Sequence, residues 1–192
     1  MAFFIKKWYN DTRDNIDERR ISLFSKDEIV MYTTYGICRI TDVFDMKLGG
    51  MTKQYYKLVP LSEAKTELAL PVDNPTTFKR LHPLLSKTEI TEIINEIPYL
   101  EPYWIDRDND RKNEFSDVIK SGDRKETLRV VKSIKKHIID IKDKGRKLHA
   151  TDEQAMKDAM KLILDEFSYV LEKDRQELNA ELDIELTPKE WK

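Results

Sequence analysis

Residues 37–61 read ICRITDVFDMKLGGMTKQYYKLVPL. Apolar and polar side chains alternate in two runs of this stretch, and Gly49-Gly50 stands between the runs. Alternation with a period of two is typical of strands, and a pair of glycines that can take positive φ favours a tight hairpin. The stretch therefore predicts two antiparallel strands that are joined at the glycines.

Short runs of the same kind extend from Phe24 to Leu81. The predicted strands lie near Glu28–Tyr32, Ile37–Met46, Gln54–Leu61, Glu67–Val72 and Phe78–Leu81. Several short strands at such close spacing are typical of a small antiparallel barrel. We therefore predict an SH3- or Tudor-like β-barrel that is too small for a deep ligand cavity and works at its surface.

After Leu81 the apolar spacing changes to three and four residues, which predicts helices. Ser86 and Glu89 have the spacing of a capping box at a helix start, and Pro98 marks the end of that helix. Further helices are predicted over about residues 105–120, over residues 123–145 and from Thr151 onward. Their short connections favour a bundle.

The predicted fold class is therefore α+β, an antiparallel barrel followed by an all-α bundle. We divide the chain into an unassigned arm (1–23), the barrel (24–84), a helical DNA-binding domain (85–175) and an acidic tail (176–192). The tail is expected to fray beyond Leu182. Two small cores, one in each domain, fit this pattern better than a single large one.

The composition is that of a globular protein. The chain has 192 residues, 36% of them charged and 40% hydrophobic, with a formal net charge of −2. It contains no apolar run of about 18 residues and no secretory signal pattern, so we expect a cytoplasmic protein. The single cysteine, Cys38, falls in an alternating apolar stretch and is expected to be a small buried hydrophobe.

Charge is distributed unevenly along the chain. Ten Lys and Arg residues stand against four acids between Ser121 and Ala150, whereas nine acids stand against four bases between Leu162 and Lys192. The basic block can form a solvated face with pairs along one helix. Its excess of positive charge also allows contact with phosphate groups.

Motifs for catalysis or cofactor binding are not found in the sequence. The five glycines form no GxGxxG or GxxxxGK[ST] pattern, and His82, His137 and His149 have no neighbouring ligands at metal-binding spacing. Acid pairs lie in strongly charged stretches where burial would not tune a pKa. We therefore expect no enzymatic activity, no cofactor and no metal site.

Trp104 follows Pro102-Tyr103 at the entrance to the second predicted helix. Basic residues follow it at Arg107, Arg111 and Lys112. One interpretation is structural, with the indole as a staple or a plug between helices. The other is functional, because an apolar side chain flanked by basic residues can insert at a base step and stabilise unstacked DNA.

Two sets of motifs resemble a known family. The motifs of the first half are Phe24 to Tyr32 (FSKDEIVMY), Tyr35 to Ile40 (YGICRI), Gly50, Gln54 to Leu58 (QYYKL) and Leu70 to Asn74 (LPVDN). Those of the second half are Trp104, Lys120 to Asp123 (KSGD), Leu128 to Lys132 (LRVVK) and Lys147 to Glu153 (KLHATDE). Together they resemble the CarD/CdnL family of bacterial transcription regulators over about residues 24–171. The translocase motifs of transcription-repair coupling factors, which share the N-terminal module, are lacking.

The resemblance implies a monomeric regulator that binds the β-subunit lobe of RNA polymerase through the barrel and double-stranded promoter DNA through the helices, without contact with a membrane. Its activity would be stabilisation of the open complex, with Trp104 as a wedge at the upstream edge of the melted bubble. The implied polymerase-binding residues are Asp45, Met46, Lys47, Leu48, Lys53 and Ala69. The implied DNA-binding residues are Trp104, Arg107, Arg111, Lys112, Arg124, Lys125, Arg129, Lys132, Lys136, Arg146 and Lys147.

The chain departs from the family pattern at several places. Thr33 stands where members commonly have proline, and Met46 and Ala69 stand where well-known members carry arginines that face polymerase. Contacts through Lys47, Lys53 or the backbone would then replace those arginines. The stretch from Trp104 to Gly122 is also a few residues longer than in some members.

Two other functions agree with the same pattern. Small barrels and basic helices also occur in RNA- or ribosome-binding adaptors that make no contact with polymerase, where exposed aromatic side chains stack on bases. A purely structural adaptor would join two proteins through barrel and bundle and would contact no DNA.

Overall fold

A computed structural model describes residues 24–142 and 145–187. Its first part is a five-stranded antiparallel sheet with the strand order β4-β3-β2-β1-β5. The strands are β1 (Ile29–Tyr32), β2 (Gly36–Leu48), β3 (Met51–Pro60), β4 (Leu68–Pro71) and β5 (Leu81–Pro83). The antiparallel sheet followed by helices confirms the α+β layout. Within the described residues β4 and β5 form the two edges and do not pair, so the sheet is open where we predicted a closed barrel.

The long hairpin of β2 and β3 is confirmed. The strands pair up to Leu48 and Met51, and the two residues between them, Gly49 and Gly50, have φ of 58° and 84°. Both turn residues therefore lie in the left-handed region that glycine adopts without strain. The register shifts between Ile40 and Asp42, a bulge that re-aims the outer part of the hairpin.

The strand predicted over Phe78–Leu81 is wrong for most of its length. Residues Pro75–Arg80 form a short helix, α1, and β5 begins only at Leu81. The side chain of Asn74 accepts a hydrogen bond from the backbone N–H of Thr76 at 2.8 Å, and Pro75 takes the first helical position. Both features favour a helix start, and they outweigh the apolar run that indicated a strand.

The second part of the chain is helical. The helices are α2 (Lys87–Glu96), a 3-10 turn (Ile97–Tyr99), α3 (Asp108–Ser121), α4 (Arg124–Lys142), α5 (Ala150–Leu171) and α6 (Arg175–Leu186). The capping box is confirmed, because Ser86 Oγ accepts from the Glu89 N–H at 3.2 Å and Glu89 Oε2 accepts from the Ser86 N–H at 2.8 Å. Asp123 caps α4 as predicted, with Oδ1 accepting from the Glu126 N–H at 3.0 Å.

The last bundle helix begins earlier than predicted. We placed its start at Thr151, but α5 begins at Ala150 with His149 at the N-cap position. The Thr151 hydroxyl lies 3.0 Å from Nδ1 of His149, so it is engaged by that ring. The predicted apolar face of the helix is confirmed at Ala159 and Phe167, both fully buried.

Buried side chains form three clusters. One lies within the sheet around Tyr56 and Leu58, and a small one lies within the helices around Phe115. The largest cluster is shared, since Met31 and Ile37 of the sheet pack with the residues of the helices. The two predicted cores are therefore joined by a third that spans both halves.

Cys38 lies in the sheet cluster with no exposed surface, which confirms its interpretation as a buried hydrophobe. Burial raises the pKa of its thiol to about 12. A thiol with that pKa remains protonated near neutral pH and is a poor nucleophile.

The C-terminal stretch packs against the shared core. Leu178, Leu182 and Leu186 of α6 are fully buried there, and α6 continues to Leu186. The fraying that we expected beyond Leu182 is therefore not seen up to that residue. The predicted arm over residues 1–23 and the last five residues of the tail lie outside the described residues.

No helix in the described part of the chain is long and apolar enough to cross a membrane. The domain boundaries at residues 84 and 175 stay predictions.

Candidate protein and nucleic-acid interfaces

The outer half of the β2–β3 hairpin has two distinct faces. Residues directly opposite in an antiparallel pair share a face, and the face alternates along each strand. Tyr56, paired with Val43, is buried and defines the core face. The opposite face, which we call the outer hairpin face, carries Phe44, Met46, Leu48, Met51, Lys53 and Tyr55.

Four of the six predicted polymerase-binding residues share the outer hairpin face. Met46 pairs with Lys53 and Leu48 with Met51, while Ala69 of β4 pairs with Lys57 and thereby joins the same face. The remaining two are Asp45 and Lys47, which alternate onto the other face. The structure thus places Met46, Leu48 and Lys53 together near the end of the hairpin, with Ala69 on the same face of the sheet beside Lys57.

The hairpin region Asp45–Lys53 and its flanking strands were predicted to bind polymerase, but three residues of the outer hairpin face, Phe44, Met51 and Tyr55, were not named individually. Met51 is 64% exposed beside Leu48, which is 54% exposed. The rings of Phe44 and Tyr55 stack with their centroids 6.1 Å apart. The period-two alternation from the glycine turn would have placed all three on the face of Met46. Exposed apolar surface of this kind on a sheet is typical of a contact site for another protein.

Trp104 is half-buried between helices. Its ring stacks on His137 of α4, with centroids 3.6 Å apart and planes at 9°, and meets Phe115 of α3 edge to face at 6.2 Å. The guanidinium carbon of Arg111 lies 4.3 Å from the centre of the ring. The interpretation as a plug between helices is therefore confirmed, and insertion into DNA stays a prediction.

Arg111 does not lie on the surface, contrary to our placing it among the DNA contacts. Its guanidinium binds both carboxylate oxygens of Asp152 on α5, at 3.0 and 2.8 Å, and also Asp108 Oδ1 at 2.8 Å. Its Nη1 donates to the Ile105 carbonyl oxygen at 2.7 Å. These bonds hold the start of α3 against the start of α5 and keep the guanidinium under the Trp104 ring.

Arg124 and Lys132 are also buried and are removed from the predicted DNA surface. Arg124 is 7% exposed and pairs with Glu166, which has no exposed surface. Lys132 is 2% exposed, and its ammonium donates to the carbonyl oxygens of Ile97 and Pro98 at 2.9 and 2.8 Å. In this conformation none of the three buried cations can reach a phosphate.

The segment before Trp104 is fixed to α4. Arg129 donates from Nε to the Glu101 carbonyl oxygen at 2.8 Å, and its guanidinium lies 4.7 Å from the centre of the Tyr103 ring. The Tyr103 N–H donates to Ser133 Oγ at 3.0 Å. Together with Lys132, these side chains hold residues 97–103 against α4 and thereby fix the position of Trp104.

The other predicted DNA contacts are accessible to different degrees. Arg107 and Lys125 are exposed and pair with Asp110 and Glu96, and the half-buried Arg129 and Lys136 pair with Glu126 and Asp140. Surface pairs of this kind are weak and open readily. The exposed Lys112, Arg146 and Lys147 form no ion pair with any described residue.

Arg107, Arg146 and Lys147 adjoin the Trp104 site in the fold. Arg107 is the N-cap of α3, next to the turn that holds Arg111. Arg146 and Lys147 lead into Leu148, which packs in the same small cluster as Trp104. We call Arg107, Arg146 and Lys147, with the accessible part of Trp104, the basic end of the bundle. The accessible Lys112 and Lys136 stay predicted DNA contacts.

No group of three or more His, Cys, Asp and Glu side chains that could hold a metal ion occurs within residues 24–142 and 145–187.

The described part of the chain is thus an open antiparallel sheet with an apolar outer face, followed by a helical bundle with a basic end. Residues 24–83 match the family model described as the CarD-like/TRCF RID domain. The matched residues contain all five strands, and the match confirms the resemblance for this part of the chain and is consistent with a CarD-like family member. No curated protein matches the chain.

Proposed function

We propose that the chain is a non-enzymatic transcription regulator that binds the β subunit of RNA polymerase through its sheet and upstream promoter DNA through the basic end, and so stabilises the open complex. We also propose that the chain acts as a monomer in the cytoplasm and is associated with the nucleoid through polymerase. The sheet would dock on polymerase as a Tudor-like domain. The observation that carries the proposal is the domain match over residues 24–83.

The outer hairpin face supports the docking half of the proposal. Leu48 and Met51 leave large apolar surfaces in water at the end of the hairpin, and an isolated protein gains nothing from exposing them there. Lys53 pairs with Asp73 across the sheet, at 3.2 Å, and keeps a charge beside the apolar residues. An apolar centre with a charged rim is typical of a surface that binds another protein.

The basic end supports the DNA half. Arg146 and Lys147 lie in the connection between two helices and are exposed, so their charges can reach phosphate groups without any change of fold. Trp104 is held beside them by Arg111 and His137. Its contacts with these two groups cover part of the ring, so the indole could offer only its remaining accessible surface to DNA.

Binding to polymerase tests the docking half. We expect Leu48→Ser combined with Met51→Ser to weaken binding of the full chain to purified RNA polymerase about tenfold, a loss of about 1.4 kcal/mol. Leu61→Ser is the matched control, because Leu61 is a 41% exposed leucine directly after β3, at the end away from the hairpin turn. Equal affinities of the double variant and the wild type would contradict docking through the outer hairpin face.

Salt-dependent binding tests the DNA half. Arg146→Ala combined with Lys147→Ala should lower the slope of log K against log salt by about two for duplex DNA, because each side chain neutralises about one phosphate. Lys65→Ala, an exposed lysine between β3 and β4, is the control. An unchanged slope would remove these residues from the interface, and tighter binding to RNA than to DNA would favour the RNA-binding alternative.

The role of Trp104 is tested by the lifetime of the open complex. Trp104→Ala would also remove packing against Phe115, so Trp104→Phe is the more informative change because it keeps a ring between the helices. We expect a shorter open-complex lifetime on a responsive promoter with unchanged binding to polymerase. An unchanged lifetime would leave Trp104 with its structural role alone.

A further inference from the structure

A buried ion pair lies where the sheet meets the helices. Arg124, the first residue of α4, binds both carboxylate oxygens of Glu166 on α5, with Nε to Oε2 at 2.7 Å and Nη2 to Oε1 at 2.8 Å. The geometry is that of a guanidinium fork on a carboxylate, which fixes the directions of both groups.

The remaining hydrogen bonds of the pair reach the other elements at this junction. Arg124 donates to the carbonyl oxygen of Gly122, at the end of α3, at 2.5 Å, and to that of Pro83, at the end of β5, at 3.3 Å. Glu166 Oε1 also accepts from the backbone N–H of Leu85 at 3.0 Å. One pair of side chains therefore joins β5, the segment before α2 and the helices α3, α4 and α5.

Close packing surrounds the pair. Gly122 has φ of 72°, and a Cβ at this position would overlap the imidazole of His82 on β5. On the other side of the junction the hydroxyl of Thr33 donates to the Lys120 carbonyl oxygen at 3.3 Å. Met31 and Ile37 of the sheet continue the contact through the shared core.

Stability alone does not account for such a pair. Apolar side chains of similar volume often stabilise a fold as well as a buried ion pair does, because both charges must lose their water. Contacts between apolar side chains are not directional. The five hydrogen bonds of Arg124 and Glu166, in contrast, are directed at fixed atoms and so determine how the joined elements are oriented. The pair is thus suited to setting an angle between the two halves of the molecule.

We propose that Arg124 and Glu166 are positioning residues that fix the sheet and the bundle in one orientation, so that docking of the sheet on polymerase presents the basic end to the DNA. This inference rests on the proposed function. Once the sheet is bound, DNA contact becomes an intramolecular step whose effective concentration depends on geometry. A loose junction spreads the basic end over many positions and lowers that concentration.

Distances between spin labels test the orientation without polymerase or DNA. Labels on Arg39→Cys, an exposed position in β2, and Lys157→Cys, an exposed position in α5, report on the two halves. The native Cys38 will not be labelled because it is fully buried. We expect one narrow distance distribution in the wild-type background and a clearly broader one with Glu166→Gln.

Leu178→Ala is the matched control, since it removes a buried side chain of α6 from the shared core and leaves the Arg124–Glu166 pair intact. Its distribution should stay narrow. A broad distribution already in the wild-type background would overturn the proposal, as would an unchanged width with Glu166→Gln. Arg124→Lys serves as a second variant, because lysine retains the charge but not the fork.

Transcription assays with the same full-length variants test the consequence. Glu166→Gln should retain binding to polymerase and binding to DNA when each is measured separately. It should nevertheless shorten the open-complex lifetime about tenfold, because part of the affinity gained by linking the two contacts is lost. A wild-type lifetime with a broadened distribution would overturn the positioning role. Failure of the wild-type chain to bind polymerase would instead refute the proposed function, and the label distances would still decide whether the junction is rigid.

Discussion

His82 shows how the fold changes the chemistry of a single residue. Burial and the charge of Arg124 lower the pKa of its imidazole from 6.5 to about 4, against the opposing effect of a 3.0 Å bond to the Lys79 carbonyl oxygen. Because its pKa is about 4, the ring is neutral near pH 7. A carbonyl oxygen only accepts hydrogen bonds, so the hydrogen of the neutral ring is on Nε2. In that form the ring packs against Gly122.

This pKa predicts a dependence of stability on pH. Well above pH 6.5 the imidazole is neutral in both the folded and the unfolded chain, so its titration does not change the free energy of unfolding there. As the pH falls from 6.5 towards 4, the unfolded chain takes up a proton first, so the free energy of unfolding falls by up to about 3 kcal/mol. Denaturant titrations of the wild type and His82→Gln between pH 7 and 5 will measure this loss.

We expect the difference in unfolding free energy between the wild type and His82→Gln to change steadily over this pH range, because the carboxylates titrate alike in both proteins. Glutamine keeps a donor at the position of Nε2. The exposed Asn113, changed to Gln, is the control and should give a constant difference, because neither side chain titrates. A constant difference for His82→Gln as well would contradict a neutral, buried imidazole.

The burial of Arg111, Arg124 and Lys132 could not be predicted from the sequence. Lys and Arg are among the residues that are least often buried, so a count of charges assigns them to the surface. Asp152 lies 41 positions after Arg111, and Glu166 lies 42 positions after Arg124. Nothing local in the sequence indicates either partner. Trp104 could be picked out because a tryptophan next to basic residues is visible within a few positions, and its insertion into DNA stays a prediction.

Among the secondary-structure elements, the hairpin turn and two helix starts were predicted correctly from local signals, whereas the start of α1 was not. The glycine turn of the hairpin, the Ser86 capping box and the Asp123 cap of α4 are all found as expected. The prediction of the fifth strand was wrong because Asn74 and Pro75 favour a helix start more strongly than the apolar run favours a strand. The predicted fraying of the tail was wrong because the spacing of its leucines favours a helix despite the acidic composition.

Spacing in the tail predicts the importance of α6. Leu178, Leu182 and Leu186 recur every four residues, which places them on one face of a helix, and all three are fully buried. The acidic residues between them occupy the solvent side, where Asp183 pairs with Lys135 of α4. The helix is therefore part of the core that the sheet and the bundle share.

We predict that Leu182→Ala lowers the free energy of unfolding by about 2–4 kcal/mol, because it leaves a cavity in the shared core. The matched control is Ile184→Ala on the same helix, where the side chain is 66% exposed. It should change stability by less than about 0.5 kcal/mol. Urea denaturation followed by circular dichroism measures both, and equal effects of the two changes would contradict the packing of α6.

At the scale of the whole molecule, the division into two modules was predicted from the change of period after Leu81. That change predicted the order of sheet and helices. It could not reveal that Met31 and Ile37, which have the pattern of ordinary strand residues, face the helices. Alternation indicates that a side chain is buried, but not which element covers it.

The shared core predicts that the sheet and the bundle unfold together. Met31 has no exposed surface and packs with residues of the helices, so unfolding of either half would expose the apolar surface of the other. We expect a single calorimetric transition whose measured enthalpy equals the van't Hoff enthalpy.

Hydrogen exchange in denaturant tests the same coupling at single amides. The strand amide of Val30 and the helix amide of Ile163 should have the same free energy of opening, and Met31→Ala should lower both values equally. Tyr56→Leu, a change confined to the sheet cluster, is the control: if the halves are coupled it also lowers both values, whereas independent halves would show a loss at Val30 alone.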